Sequence, residues 1–121
     1  MRGKQDASGH SFEAYFKRAT SPLAVLRLLA ERPMYGYELT QELKQRSGGA
    51  YTISLLYPVI YRLEEQGHVE VVRSEVVDGR ARSYYGITGQ GMAYLKETLE
   101  DYHNITKVFE MLMEGGEAYG L

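Results

Sequence analysis

Two small groups of side chains in this 121-residue chain have the types and spacing to grip a polyanion. Ser54, Tyr57 and Tyr61 recur at i, i+3 and i+7, so on a helix they share one face, with Thr52 ahead of them and Arg62 beside them. Hydroxyls and a guanidinium on one helical face suit phosphate oxygens and base edges, while Leu55, Leu56, Val59 and Leu63 anchor the other side. Arg80 and Arg82 follow Asp78-Gly79 and, two residues apart on a strand, point to one face. Arginines at a hairpin tip reach phosphates or the minor groove. Glu75 should lie opposite Arg82 across a two-residue turn. An exposed pair of that kind contributes about 0–1 kcal/mol, too little to hold the arginine from a phosphate.

Other chemistries find little support. Glu100 and His103 form Glu-x-x-His, a spacing used in di-iron helix bundles, but such sites need a second motif and further carboxylates from facing helices. No metal is expected. With no cysteine there is no thiolate zinc site, iron–sulfur cluster or cysteine nucleophile. No nucleophile elbow or phosphate-binding glycine loop is present, and His10, His68 and His103 are scattered and read as surface residues. The expectation is a protein that is not an enzyme and has no cofactor. The formal net charge of −2 hides an asymmetry. Residues 1–88 carry twelve basic and ten acidic side chains, and residues 89–121 carry two basic and six acidic ones. A basic face can therefore coexist with an acidic tail. Apolar residues at 44% and charged residues at 25% describe a globular domain. No apolar run could span a bilayer, and the polar Met1–Ser11 stretch lacks a signal peptide's apolar core, which points to the cytoplasm.

The elements that position these residues follow from periodicity and punctuation. Phe12, Tyr15 and Phe16 predict a short helix over Ser11–Arg18, after a mobile start. Ser21-Pro22 reads as the start of a second helix, carried by Leu23, Leu26 and Ala30 and closed by Pro33. Tyr35, Leu39 and Leu43 predict a third, ending at Gly48-Gly49, with Lys44 and Arg46 as solvated charges. Thr52 can cap a fourth, ending at Gly67, with Pro58 bending it near Ser54. From Val69 β-branched residues dominate, and Asp78-Gly79 marks a hairpin returning through Ile87. Thr88 can cap a long last helix to about Glu114, in which Met92, Leu95, Leu99, Tyr102, Thr106, Phe109 and Met113 follow 3-4 spacing. The expected fold is mainly α with a two-stranded antiparallel β-wing: a winged helix-turn-helix over 21–88, a dimerisation helix over 89–114, and end segments 1–20 and 115–121. Phe12, Tyr15, Phe16 and Leu112 join the seam residues as the expected dimer interface.

Four motifs, in order, carry a resemblance: Pro33-Met34-Tyr35-Gly36-Tyr37-Glu38-Leu39; Leu56-Tyr57-Pro58; Arg62-Leu63-Glu64 with Gly67; and Gly79-Arg80-Ala81-Arg82-Ser83-Tyr84-Tyr85 with Ile87-Thr88 and Gly91. Together they resemble the PadR family of bacterial transcriptional regulators over roughly residues 22–95, in its smaller class with a single C-terminal helix. The resemblance implies a homodimeric, sequence-specific DNA-binding regulator, most often a repressor. It also implies that one of Tyr35 and Tyr37 packs inside and the other meets the sugar–phosphate backbone. Tyr37 is counted among the contacts, although the residues themselves leave that choice open. Some members release DNA when planar aromatic compounds bind where subunits meet. Tyr15, Phe16, Tyr94, Tyr102 and Phe109 are the residues here that would line such an effector pocket. The chain departs from the family pattern at His68 and Ser83, and it lacks the tryptophan on which some members stack ligands. The rival is a winged helix used only as a protein–protein module, which steep salt dependence of duplex binding would exclude.

Overall fold

The computed structural model describes residues 11–52 and 56–115. The amino-terminal aromatic face and the Leu23–Ala30 stripe form one helix, α1 (Phe12–Leu29), rather than two. Ser11 is its N-cap, and the Ala14 N–H donates to Ser11 Oγ at 3.1 Å. Pro22 lies inside α1, where it removes one donor from the ladder. The hydroxyls expected to start a new helix instead turn back into this one. Thr20 Oγ1 donates to the Phe16 carbonyl at 2.7 Å and Ser21 Oγ to the Lys17 carbonyl at 2.6 Å. The local cap signal is thus absorbed into one helix, whose buried residues, Val25, Leu26, Leu28 and Leu29, all follow Pro22.

After Pro33 come β1 (Met34–Tyr35), α2 (Gly36–Arg46), α3 (Leu56–Glu65), β2 (Val69–Val77), β3 (Arg80–Ile87) and α4 (Gly89–Glu114). Met34, Leu39, Leu43, Leu56, Ile60, Leu63, Val69, Tyr85 and Leu95 close around the α1 residues as one core. Burying a Leu or Ile side chain of this kind contributes about 1.5–3 kcal/mol. Pro58 falls near the start of the described part of α3. The expected bend near Ser54 lies outside the described residues.

The sheet corrects the two-stranded expectation. It has three antiparallel strands in the order β1-β3-β2, with Met34 opposite Tyr85 and Tyr35 opposite Tyr84. A two-residue strand is too short to show alternation, so its sequence carries no period-2 signal. The hairpin turns at Asp78 (φ 50°) and Gly79 (φ 75°), both in the left-handed region a two-residue hairpin loop needs. Its register puts Glu75 opposite Arg82, as the turn predicts. Further from the tip, Val71 pairs with Tyr85 but Arg73 pairs with Tyr84, so Val72 is an extra residue, a β-bulge. Without it, the alternation Val69, Val71, Arg73 would send an arginine toward the core. With it, Arg73 joins Arg82 and Tyr84 on the outer face.

Two further links join the elements. Arg46, expected to be merely solvated, reaches from the end of α2 to Glu31 just beyond α1 with two 2.8 Å hydrogen bonds, and its Nε donates to Glu42 at 2.9 Å. At the other end of the core, α3 is fastened to α4. The Thr88 N–H donates to the His68 carbonyl at 3.0 Å, and Thr88 Oγ1 donates to the Gly67 carbonyl at 2.6 Å. His68, expected at the surface, is only 9% exposed and stacks on Tyr94 at 4.4 Å between ring centroids. A flat imidazole fills the slot between these helices. His103 is exposed as expected, and His10 lies outside the described residues.

Candidate nucleic-acid interface

The exposed side of α3 carries Tyr57, Tyr61 and Arg62, while Leu56, Ile60 and Leu63 of the same helix are buried. The 3.6-residue period makes this division, since the apolar positions fall at i, i+4 and i+7. The Tyr57 and Tyr61 rings lie 5.9 Å apart. Tyr57 leans across to the start of α2, and its hydroxyl occupies the space a Cβ at Gly36 would need. A side chain at position 36 would have to push the Tyr57 hydroxyl aside. Tyr37, one residue on, is 64% exposed, whereas Tyr35 is half-buried in the sheet. Burial separates the two tyrosines: Tyr35 is partly packed and Tyr37 faces water.

Between the wing and the amino ends of α2 and α3 lies a cleft of about 620 Å³, lined by Tyr35, Tyr37, Tyr57, Val77, Asp78, Arg80, Ala81 and Arg82. Four residues singled out from sequence (Tyr37, Tyr57, Arg80 and Arg82) therefore meet in one place. Thr52, Tyr61 and Arg62 are exposed but do not line this cleft, and Ser54 lies outside the described residues. Sequence reasoning missed Arg73, whose outward position depends on the bulge, and the part played by Tyr35. Arg82 lies over the Tyr35 ring with its Cζ 4.3 Å from the centroid, and Arg73 lies over Tyr84 at 3.9 Å. Among the described residues, no carboxylate lies within 4.0 Å of Arg62, Arg73, Arg80 or Arg82. Burial pushes the Tyr85 phenol, beneath this surface, above its ordinary range. Among the described residues no group of His, Asp and Glu is arranged to hold a metal ion, and no helix is long and apolar enough to cross a membrane.

The residues expected to meet a second subunit lie along α4 and the start of α1. Phe12, Tyr15, Phe16, Met92, Leu99, Tyr102, Phe109, Leu112 and Met113 are exposed, and Leu95 is buried in the core. Within one chain, the five residues expected to line an effector pocket between subunits lie apart. Phe16 and Tyr102 line an open apolar groove of about 450 Å³ with Leu23, Tyr51, Leu95 and Leu99. Tyr94 is turned to His68, and neither Tyr15 nor Phe109 lines the groove.

A winged helix with a tyrosine- and arginine-lined cleft beside an exposed helical face is an architecture that DNA-binding transcriptional regulators use. The chain belongs to the transcriptional regulator PadR-like family, whose profile matches residues 25–97. It is 43% identical over 82 residues to a transcriptional regulator from Mycobacterium tuberculosis, covering 68% of this chain and 75% of that one. It is 38% identical over 95 residues to an uncharacterized protein from Lysinibacillus sphaericus, covering 77% and 87%. Among solved structures it resembles a PadR family transcriptional regulator from Eggerthella lenta, with a TM-score of 0.76 at 29% identity over 84% of this chain and 88% of that one. A transcriptional regulator from Clostridium thermocellum superimposes with a TM-score of 0.75 at 27% identity, over 83% and 99%.

Proposed function

We propose that this regulator acts as a homodimeric, sequence-specific repressor, each subunit laying α3 in a major groove while its wing holds the flanking backbone. The observation that carries the reading is the cleft in which Tyr37, Tyr57, Arg80 and Arg82 converge beside the exposed face of α3. The tyrosine hydroxyls and uncompensated guanidinium groups suit phosphate oxygens, and Tyr61 and Arg62 stand where base edges would be read. The dimer rests on α4, whose outer half exposes Phe109 (54%) and Leu112 (68%), an apolar stripe that a partner helix would cover. The open groove beside Leu99 and Tyr102 is the place we assign to a small aromatic effector, which acts only if it prefers the arrangement that cannot bind DNA.

Capture and sequencing of genomic fragments bound by the protein tests this directly. Enriched fragments should share two inverted half-sites centred about 34–36 Å apart, one helical turn or a multiple of it. No enrichment, or a lone half-site, would sink the dimeric reading. Planar aromatic cations and phenolic acids titrated against the captured complex should release it. If none binds at millimolar levels, the groove is not an effector site.

A further inference from the structure

We propose that Tyr35 is a positioning residue for DNA binding, its ring aiming the Arg82 guanidinium at the phosphate backbone, while Tyr84 keeps Glu75 from neutralising that charge. This rests on the nucleic-acid reading of the wing. The hairpin register sets Glu75 opposite Arg82 on the outer face, the arrangement that ordinarily gives a cross-strand ion pair. No such pair forms. The Tyr84 hydroxyl donates to Glu75 Oε2 at 2.9 Å and so takes up the carboxylate. Arg82 instead rests on the Tyr35 ring, 4.3 Å from its centroid. Tyr35 is in turn braced edge-on by Tyr84 at 5.3 Å, and Arg73 covers the Tyr84 ring.

The difference matters for a ligand made of phosphates. A carboxylate would occupy the guanidinium N–H groups and cancel their charge. An aromatic face attracts the cation through its quadrupole and leaves the charge and the edge donors available. The outer face of the wing thus orients an arginine without consuming it. Tyr35 also begins the turn into α2, where its own N–H donates to Glu38 Oε1 at 3.3 Å. The same residue therefore ties the wing cation to the helix that carries Tyr37.

Affinity for a random-sequence duplex, measured by fluorescence anisotropy over a range of salt, tests the proposal, with thermal melting as the folding control. Tyr84→Phe keeps both ring contacts but frees Glu75 for Arg82. It should weaken binding about two- to fivefold per wing and flatten the salt dependence. Adding Glu75→Gln should restore both. Tyr35→Phe, which keeps the ring, should bind more tightly than Tyr35→Leu, which should lose as much as Arg82→Gln and nothing more when the two are combined. Because Tyr35→Leu perturbs a paired strand residue, the Tyr84→Phe and Glu75→Gln pair carries the decision if that variant fails to fold. Unchanged binding by Tyr84→Phe, or a loss that Glu75→Gln does not repair, overturns the proposal while the nucleic-acid reading stands. A wild type that binds no duplex, or an Arg82→Gln variant that binds as the wild type does, overturns the proposal together with the reading on which it rests.

Discussion

Arginines occur on two sides of this molecule in opposite electrostatic states. On the α1–α2 side, Arg27, Arg32 and Arg46 are all paired with Glu31, Glu38 or Glu42 at 2.8–3.9 Å. On the wing and α3, Arg62, Arg73, Arg80 and Arg82 have no carboxylate partner among the described residues, and two of them rest on tyrosine rings. The first set completes its interactions within the chain and fastens helices together. In the second, Arg73 and Arg82 are held on aromatic rings and none of the four meets a carboxylate among the described residues, which fits an outside anion. The long helix repeats the contrast in apolar terms. Leu95 is 6% exposed in the core, whereas Ile105, Val108, Phe109 and Met111 further along are half-exposed or more. Unfinished surfaces of both kinds are where partners are expected.

The largest effect should come from the apolar surface. Leu99→Glu with Phe109→Glu should abolish the dimer in sedimentation experiments, leaving a monomer or an unfolded chain. A stable dimer would remove α4 from the interface. Next is a direct contrast of the two arginine sets. Arg80→Ala with Arg82→Ala should weaken specific and non-specific binding together and lower the salt slope by about 2–4 per dimer, with little change in melting. Arg46→Ala should do the reverse, lowering the melting temperature and leaving duplex affinity intact. Equal behaviour of the two would erase the distinction.

A smaller change is expected from Gly36→Ala. The new methyl would displace the Tyr57 hydroxyl from the cleft, weakening DNA binding by on the order of 1 kcal/mol, as expected for one misplaced hydrogen-bonding group. Unaltered affinity would show that Tyr57 can move without consequence. The smallest concerns pH. Hydrogen bonding to Arg46 is the main cause that draws the Glu31 carboxyl from 4.5 down to about 2. A carboxyl lowered on folding stabilises the native state above its unfolded value and ceases to do so as pH falls through the folded one. The melting difference between wild type and Glu31→Gln should therefore be full above pH 4.5 and fade toward pH 2. The effect is small because the pair is solvent-screened. A difference independent of pH would assign the loss to packing.

What sequence made legible was local and strongly signalled. Asp78-Gly79 specified the hairpin and with it the Glu75–Arg82 register, Gly48-Gly49 ended α2, and Thr88 capped α4, accepting from the Gly91 N–H at 2.9 Å. What it concealed depended on distant packing. The Ser21-Pro22 signal was overridden inside α1, where both neighbouring hydroxyls bond back to the preceding turn, and β1 was too short to show a pattern. The Val72 bulge, which turns Arg73 outward, has no turn residue to mark it. The site was half-legible for the same reason. Arg80, Arg82, Tyr37 and Tyr57 could be named from type and spacing. The stacking of Arg82 on Tyr35 needed the third strand to be in place, and the diversion of Glu75 to Tyr84 is a contact between the hairpin's own strands that depends on their register.

Binding of the wild-type protein to a random-sequence duplex as salt is raised tests the central claim most directly. If the uncompensated wing and α3 arginines meet phosphates, log affinity should fall linearly with log salt, with a slope of about −0.9 for each phosphate neutralised. Absent binding, or an affinity indifferent to salt, would contradict the account and leave a winged helix whose partners are proteins.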